Sequence, residues 1–386
     1  MIRVALSTSV VQRGRSGVAS YLFGLLDGLR KINAPLEMAL LGLEDDKPLF
    51  EKWLDRCLWI PVPEQFRPAV RNVFWHQTAI RGVLRREKID VLHIPSYRRI
   101  VANPPCPQVV TIHDCAAFAV SGKYDIARMI YGKHIVRRLA RQADVVQTVS
   151  KASAADIQRF FGLPESEIHV IWNGIDHDCF KPRRLDDLRA RMEGLGQCQP
   201  YFIYLARLEH PGKNHVRLIE AFEIFCDQNP DQPHELLLGG ADWHGAEVIH
   251  RRIAESPRRA RIRALGFVAK DDLPFWYAGA AAMIYPSLFE GFGLPPAEAM
   301  ACGCPVISSR CGSLGEVVGD AARIIDPEDP CSMADAMQNS VLHPAEAAEW
   351  IRKGLARAAE FSWEKTAEAV CQLYKQAAAR LQSANT

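Results

Sequence analysis

The segment Glu290-Gly-Phe-Gly-Leu-Pro-Pro-Ala-Glu298 sets two carboxylates eight residues apart across a glycine-rich turn. A carboxylate accepts paired hydrogen bonds from vicinal hydroxyls, which hexoses and ribose both present, and two carboxylates can also supply the acid and base of glycoside hydrolysis. Gly291 and Gly293 let the backbone approach a ligand closely. Pro295-Pro296 suit the first turn of a helix whose end is marked by Gly303 and Pro305. The N–H groups of Phe292, Gly293 and Leu294 would then lie at a helix N-terminus, where an anion is favoured. Glu290 precedes that helix and Glu298 is expected on its first turn, so the two carboxylates reach different parts of one extended ligand.

Other residues extend the pattern. Arg207 and Lys213 lie six residues apart on the loop between an apolar strand and a helix expected from about His215 to Asp227. A bidentate fork beside a point charge suits a diphosphate. Near the N-terminus, Gln12-Arg-Gly14-Arg-Ser-Gly17 lies between the first strand and a helix beginning near Val18, where phosphate is also accessible. Gly14 and Gly17 do not form G-x-G-x-x-G, and no acidic residue stands where a dinucleotide ribose requires one, which disfavours a dehydrogenase. His113 follows the strand Val109–Ile112 with Asp114 behind it, placing an imidazole at a strand's carboxyl end. Asp176-His-Asp178 has the form of a manganese-binding D-x-D, but it follows the domain junction rather than a phosphate loop, so no metal is assigned to it. Cys302, Cys304 and Cys311 are the densest cysteine group, yet no His stands beside them and they read as ordinary thiols.

Short apolar runs alternate with amphipathic stretches almost throughout. Strands are expected at Arg3–Leu6, Val91–Ile94, Val109–Ile112, Val145–Thr148 and His169–Trp172, then at Tyr201–Leu205, Glu235–Leu238, Arg263–Gly266, Ala282–Tyr285 and Pro305–Ser308. Continuous apolar strands separated by helices imply parallel sheets covered on both faces, and hence two doubly wound α/β domains. Ligands bind beyond the carboxyl ends of such strands. The 386 residues suit two domains, divided at about residue 180, with a C-terminal amphipathic helix from about residue 363. No apolar run is long enough to span a bilayer, and the first residues lack the apolar region of a signal peptide, so a cytoplasmic protein is expected. Eleven cysteines in no repeating pattern agree with a reducing compartment.

Taken in order, these segments resemble retaining glycosyltransferase family 4, the group 1 enzymes with the GT-B fold, over essentially the whole chain. Glu290 and Glu298 match its E-x7-E motif, Arg207 and Lys213 its paired basic residues, Ser16-Gly17 its N-terminal glycine loop, and His113-Asp114 its His-Asp. Asn173-Gly-Ile-Asp176 resembles the family's junction, and Gly266-Phe-Val268 the strand end that meets the base. The resemblance implies two Rossmann-like domains facing a cleft, residues 1–180 for the acceptor and 181–362 for the nucleotide sugar, with the helix at 363–386 crossing back. It implies that Arg207, Lys213 and the backbone around Gly17 and Phe292–Leu294 bind the diphosphate. Glu298 would then hold the ribose, Glu290 the transferred sugar, and Val268 the base, with His113 beside the reacting centre. The implied reaction is metal-independent transfer of a hexose from a UDP- or GDP-sugar with retention of configuration, and no cofactor beyond that co-substrate. Two residues depart from the pattern: Ala206 and Ser16 stand where many members have glycine.

Residues 1–180 carry 24 Lys+Arg against 18 Asp+Glu, and the remainder 23 against 27, so the expected acceptor domain is the basic one. Six of those cations (Arg67, Arg71, Arg81, Arg85, Arg86 and Lys88) fall within 66–88 among Phe74, Trp75, Ile80 and Leu84. A basic helix carrying aromatics can lie on anionic lipid. That pattern leads to the expectation of a saccharide acceptor, lipid-linked, met at the inner face of the membrane in bacterial surface polysaccharide or glycolipid synthesis. No nucleic-acid partner is expected. Two alternatives remain. A GT-B nucleotide-sugar epimerase would need an acid and base that this motif set lacks. A noncatalytic sugar-nucleotide-binding protein would be marked by loss of Glu290, Lys213 or His113, all of which are present.

Overall fold

The computed structural model of the protein describes residues 1–14, 16–119 and 135–384; Arg15 of the N-terminal loop lies outside them. The chain divides into two compact units, Met1–Gly174 with Ser362–Thr386, and Ile175–Phe361. The division falls somewhat earlier than the expected residue 180. Ile175 donates its N–H to the Phe361 carbonyl at 3.3 Å, and the Phe180 ring lies 6.2 Å from Tyr277, all within the second unit.

In the first unit seven strands form one sheet: β1 (Ile2–Ser7), β2 (Leu36–Leu43), β3 (Cys57–Val62), β4 (Val91–Ile94), β5 (Gln108–Ile112), β6 (Val145–Thr148) and β7 (Ile168–Val170). Their order is β3-β2-β1-β4-β5-β6-β7, and every pairing is parallel. Successive strand residues point to opposite faces, so each strand serves two cores. Val4, Leu6, Val91, Val109 and Val145 enter one cluster, while Ala5, Leu92, Ile94, Val110, Ile112 and Val146 enter the other. That double burial explains the continuous apolar runs.

The C-terminal helix Trp363–Ala384 packs on the helix Gly17–Lys31 within this unit. Gly24 and Gly28 make the approach possible. A Cβ at Gly24 would lie 2.0 Å from the Trp363 ring, and one at Gly28 would lie 2.2 Å from the Trp363 carbonyl.

The second unit holds six parallel strands: β8 (Tyr201–Leu205), β9 (Glu235–Gly239), β10 (Ile262–Gly266), β11 (Ala282–Tyr285), β12 (Val306–Ser308) and β13 (Arg323–Ile324). Their order is β10-β9-β8-β11-β12-β13. Both β8 and β11 are wholly buried. Strand order reverses between β8 and β11, the place in a parallel sheet where ligands bind beyond the carboxyl ends of the strands. The equivalent reversal in the first unit lies between β1 and β4.

Candidate functional site

The β8–β11 switch point carries Arg207, Lys213 and Glu290, the residues singled out by type and spacing. Several bonds tie their two loops together. The Leu288 N–H donates to the Gly212 carbonyl at 3.0 Å, and the Asn214 amide donates to the carbonyls of Pro286 and Pro327 at 3.2 and 2.6 Å. Asn214 is buried in the left-handed conformation and starts the helix His215–Gln228 without a side-chain cap. The loop is thereby fixed by the fold before any ligand binds. Across it, Lys213 Nζ lies 2.6 Å from Glu290 Oε1, the two side chains only 14% and 13% exposed. A charge-assisted bond this short and sheltered is stronger than a surface pair. The Tyr204 hydroxyl donates to the Lys213 carbonyl at 2.8 Å, and the Tyr285 hydroxyl is directed at Glu290. Burial, and after it the Glu290 charge, hold both phenols well above their ordinary pKa, so both keep their protons.

Gly291 to Leu294 continue the loop into the helix Leu294–Ala301, whose cap is Gly293 at φ +99° with no side-chain hydrogen bond. Pro295 and Pro296 follow at the second and third helical positions and have no N–H to offer. The donors at this end therefore come from Phe292, Gly293 and Leu294. Glu298 is the fifth helical residue, on the second turn rather than the expected first. Its Oε2 accepts from the Tyr277 hydroxyl at 3.3 Å, and burial pushes its carboxyl up to about 7, opposed by that hydrogen bond and by Lys270. Glu290 and Glu298 are thus in different states: one is paired with a lysine, the other is inclined to hold its proton.

Two residues that the sequence reading passed over hold this loop. A Cβ at Gly312, where φ is +60°, would lie 2.5 Å from the Glu290 carbonyl oxygen. The buried Ser313 hydroxyl lies 2.7 Å from the Phe292 carbonyl and 3.1 Å from that of Glu290. Only their place in a glycine-containing turn after the expected strand Pro305–Ser308 could have drawn attention to them. Gly240 was missed likewise. At φ +154°, a Cβ there would lie 2.0 Å from the Ala206 carbonyl, so the loops after β8 and β9 touch backbone to backbone. Val268 follows β10 beyond Gly266, its Cγ2 3.0 Å from where a Gly239 Cβ would stand.

Asp176 behaves as a turn cap. Its Oδ1 accepts from the N–H groups of Asp178 and Cys179 at 3.2 and 3.3 Å, and its Oδ2 lies 3.7 Å from Lys270. Among the described residues no three His, Cys, Asp or Glu side chains are grouped to hold a metal ion.

In the first unit His113 stands just after β5. The Pro95 carbonyl takes one ring N–H, while Nε2 is enclosed and has no hydrogen-bond partner among the described residues. The proton therefore sits on Nδ1, leaving a lone pair on Nε2. Burial lowers its pKa to about 4 against the opposing pull of Asp114, so the ring is neutral at pH 7. Tyr21 stands edge-on to it, ring centroids 4.8 Å apart at 76°. Tyr21 is itself fixed by Gln147, whose amide donates to its hydroxyl at 3.1 Å, and by Thr111 at 3.4 Å. Thr111 lies 2.7 Å from His93 Nε2, and His93 Nδ1 lies 2.7 Å from the hydroxyl of Tyr374 on the C-terminal helix.

At the N-terminal loop, Ser16 caps the helix Gly17–Lys31 through the Ala19 N–H at 3.2 Å. A Cβ at Gly17 would project into open space. The protein's own packing therefore does not require glycine there. Gln12, Arg13 and Gly14 all have positive φ, a left-handed turn with two non-glycine residues in it.

The basic helix expected over 66–88 is instead two short helices, Ala69–Gln77 and Ile80–Arg86. Trp75, Ile80 and Leu84 are buried in the core of the unit, and Arg67 is spent on Glu64 and Asp46 at 2.7 and 3.2 Å. Val70 and Phe74, 83% and 61% exposed, remain outward with Arg71 between them. Among the described residues no helix is long and apolar enough to cross a membrane.

Comparisons with known proteins bear on this arrangement. Residues 190–357 match the family described as Glycosyl transferases group 1, and residues 15–178 match Glycosyltransferase Family 4. The O-antigen chain mannosyltransferase B of Escherichia coli is 32% identical over 271 residues, covering 69% of this chain and 70% of that protein. The MMP alpha-(1->4)-mannosyltransferase of Mycolicibacterium hassiacum is 28% identical over 325 residues, covering 77% of this chain and 73% of that protein. Among solved structures, Anabaena Alr3699/HepE in complex with UDP and glucose superposes with a TM-score of 0.78 at 18% identity, covering 97% of this chain and all (100%) of that one. WaaG, a glycosyltransferase involved in lipopolysaccharide biosynthesis, superposes with a TM-score of 0.71 at 15% identity, covering 96% of this chain and 99% of that one.

Proposed function

The chain belongs to glycosyltransferase family 4, the group 1 glycosyl transferases of GT-B fold, and from that premise we propose a retaining, metal-independent hexosyltransferase. It moves the sugar of a UDP- or GDP-hexose to a lipid-linked saccharide in the assembly of a surface polysaccharide. The pairing of Lys213 with Glu290 at the second sheet's switch point, with Arg207 on the same loop after β8, carries the proposal, because it sets cations for a diphosphate beside a carboxylate for sugar hydroxyls. The mannosyltransferase relatives support a hexose, with mannose foremost, and the UDP-bound HepE structure supports a nucleotide-sugar donor.

In this reading Arg207, Lys213 and the N–H groups of Phe292 to Leu294 hold the diphosphate, Glu298 the ribose hydroxyls and Glu290 the sugar, with the backbone at Val268 against the base. Breaking the bond from the anomeric carbon to the phosphate oxygen leaves a further negative charge on the diphosphate. Cations and N–H groups fixed beforehand stabilise that charge without reorganising, an effect worth several kcal/mol, on the order of 3 per well-placed donor. The acceptor oxygen forms the new bond on the face the phosphate leaves, and its proton passes to the departing phosphate oxygen. His113 is neutral, so it is assigned a place beside the reacting centre rather than the carrying of charge. The outward Val70, Arg71 and Phe74 are assigned to an anionic bilayer, where Phe74 adds apolar contact and Arg71 charge.

The test is transfer from UDP- and GDP-hexoses to lipid-linked saccharide in anionic vesicles, with EDTA present and the product's anomeric configuration read by NMR. Transfer with the donor's configuration is expected, weakened by Phe74→Ser on vesicles but not on a soluble saccharide. Inversion, or loss of turnover with EDTA, would contradict the mechanism, and equal rates for Phe74→Ser on vesicles would remove the membrane role.

A further inference from the structure

Trp243 lies on the loop after β9 and is 49% exposed, a large aromatic side chain outside the buried core. Its ring centroid lies 4.7 Å from Arg207 Cζ. That meeting is built by the backbone. Leu208 donates its N–H to the Ala241 carbonyl, Trp243 to that of Leu208 and His210 to that of His244, each at 3.0 Å. Gly240 and Gly245 allow the two loops to close up, since a Cβ would lie 2.0 Å from the Ala206 carbonyl at the first and 3.0 Å from His210 at the second. Among the described residues the guanidinium also meets Glu209 Oε2 at 3.5 Å, long for a charge-assisted hydrogen bond. With its side chain 43% exposed, Arg207 would otherwise sample many rotamers.

We infer that Trp243 is a positioning residue for Arg207, holding the guanidinium by its face so that its N–H edge is presented to the two phosphates of the donor. The inference rests on the donor-site reading above. A cation over an indole face is attracted to the ring while all of its in-plane N–H donors stay available. The rotamer freedom that Arg207 would lose on meeting phosphate is already restricted, which lowers the cost of binding. Such a residue acts on the charged part of the ligand and on nothing else.

The test is titration of wild type, Trp243→Ala, Trp243→Phe, Arg207→Ala and the Trp243→Ala/Arg207→Ala double variant with UDP and GDP, each compared with uridine and guanosine. Trp243→Ala is expected to weaken the nucleoside diphosphate about fivefold, the size of one partly exposed cation–π contact, and to leave the nucleoside unchanged. Trp243→Phe is expected to restore most of that loss, and Trp243→Ala to cost nothing further in the Arg207→Ala background. If Arg207→Ala weakens the diphosphate while Trp243→Ala does not, or if the two losses simply add, the positioning role is wrong and the donor site stands. If Trp243→Ala weakens nucleoside and diphosphate equally, the ring touches the ligand itself and the positioning role is again wrong. If Arg207→Ala leaves diphosphate affinity unchanged, the donor-site assignment falls and this inference with it.

Discussion

Glu298 keeps its proton to about pH 7 because burial beside Tyr277 penalises the carboxylate, against the opposing pull of that hydroxyl and Lys270. As an acceptor for two ribose hydroxyls it must be ionised, so below that pH donor binding has to release a proton. Donor affinity is therefore expected to rise between about pH 5.5 and 8, by at most tenfold per unit below the pKa. Glu298→Gln should flatten that rise and bind more weakly at the upper end. The stability effect has the opposite sign. A carboxyl whose folded pKa lies above its unfolded value of 4.5 stabilises the fold below about pH 4.5 and loses that contribution as pH climbs through about 7. Glu298→Gln should then melt higher than wild type at about pH 8 and not at about pH 5, as thermal denaturation would show. Equal pH dependence of donor binding in the two proteins would remove Glu298 from the ribose site. His113 and Glu290 differ from Glu298 in kind. His113 is neutral through burial, and Glu290 is held by Lys213 at 2.6 Å.

The loops that carry these groups are positioned by neighbouring turns. Gly312 lies against the Glu290 backbone at φ +60°, with 2.5 Å between a would-be Cβ and the Glu290 carbonyl. Gly312→Ala must therefore push that loop aside as well as strain its own φ. We expect a loss of about 1–3 kcal/mol in stability and a fall in transfer rate larger than the change in nucleoside diphosphate affinity, compared by thermal denaturation and kinetics. An unchanged rate would mean that the loop is not held from this side. Such contacts explain what could be read in advance. Strands β8 and β11 were legible because burial on both faces leaves an unbroken apolar run such as Tyr201–Leu205. Strand β2 was not, since Leu-Glu-Met-Ala-Leu-Leu-Gly-Leu fits a helix as well as a strand and is a strand because it pairs with β1 from Ile2↔Leu36 onward. Strand β13 has two residues and no pattern to read. Gly240, Trp243, Gly312 and Ser313 take their meaning from residues distant in sequence, which no local spacing reveals. Composition alone made the 66–88 segment one basic helix, where the structure has two short ones. Trp75, Ile80 and Leu84 turned out to serve the core.

At the scale of the molecule, two parallel sheets of seven and six strands each reverse order once, and the chain ends by returning to the first unit as a helix seated on Gly24 and Gly28. A buried chain from Tyr374 through His93, Thr111 and Tyr21 reaches His113, so the last helix helps fix the one imidazole assigned to the reaction. This overall plan was legible from the alternation of apolar runs and amphipathic stretches, and the helix on the second unit's switch point from its glycines and prolines. In the proposed function Arg207, Lys213, Glu290 and Glu298 together hold one sugar nucleotide without a metal. Calorimetric titration of the protein with UDP-glucose, UDP-N-acetylglucosamine and GDP-mannose, with and without EDTA, decides this. Saturable binding of at least one donor is expected, unchanged by EDTA and weakened by Lys213→Ala tenfold or more, about 1.4 kcal/mol. No binding of any sugar nucleotide, or binding abolished by EDTA, would contradict it.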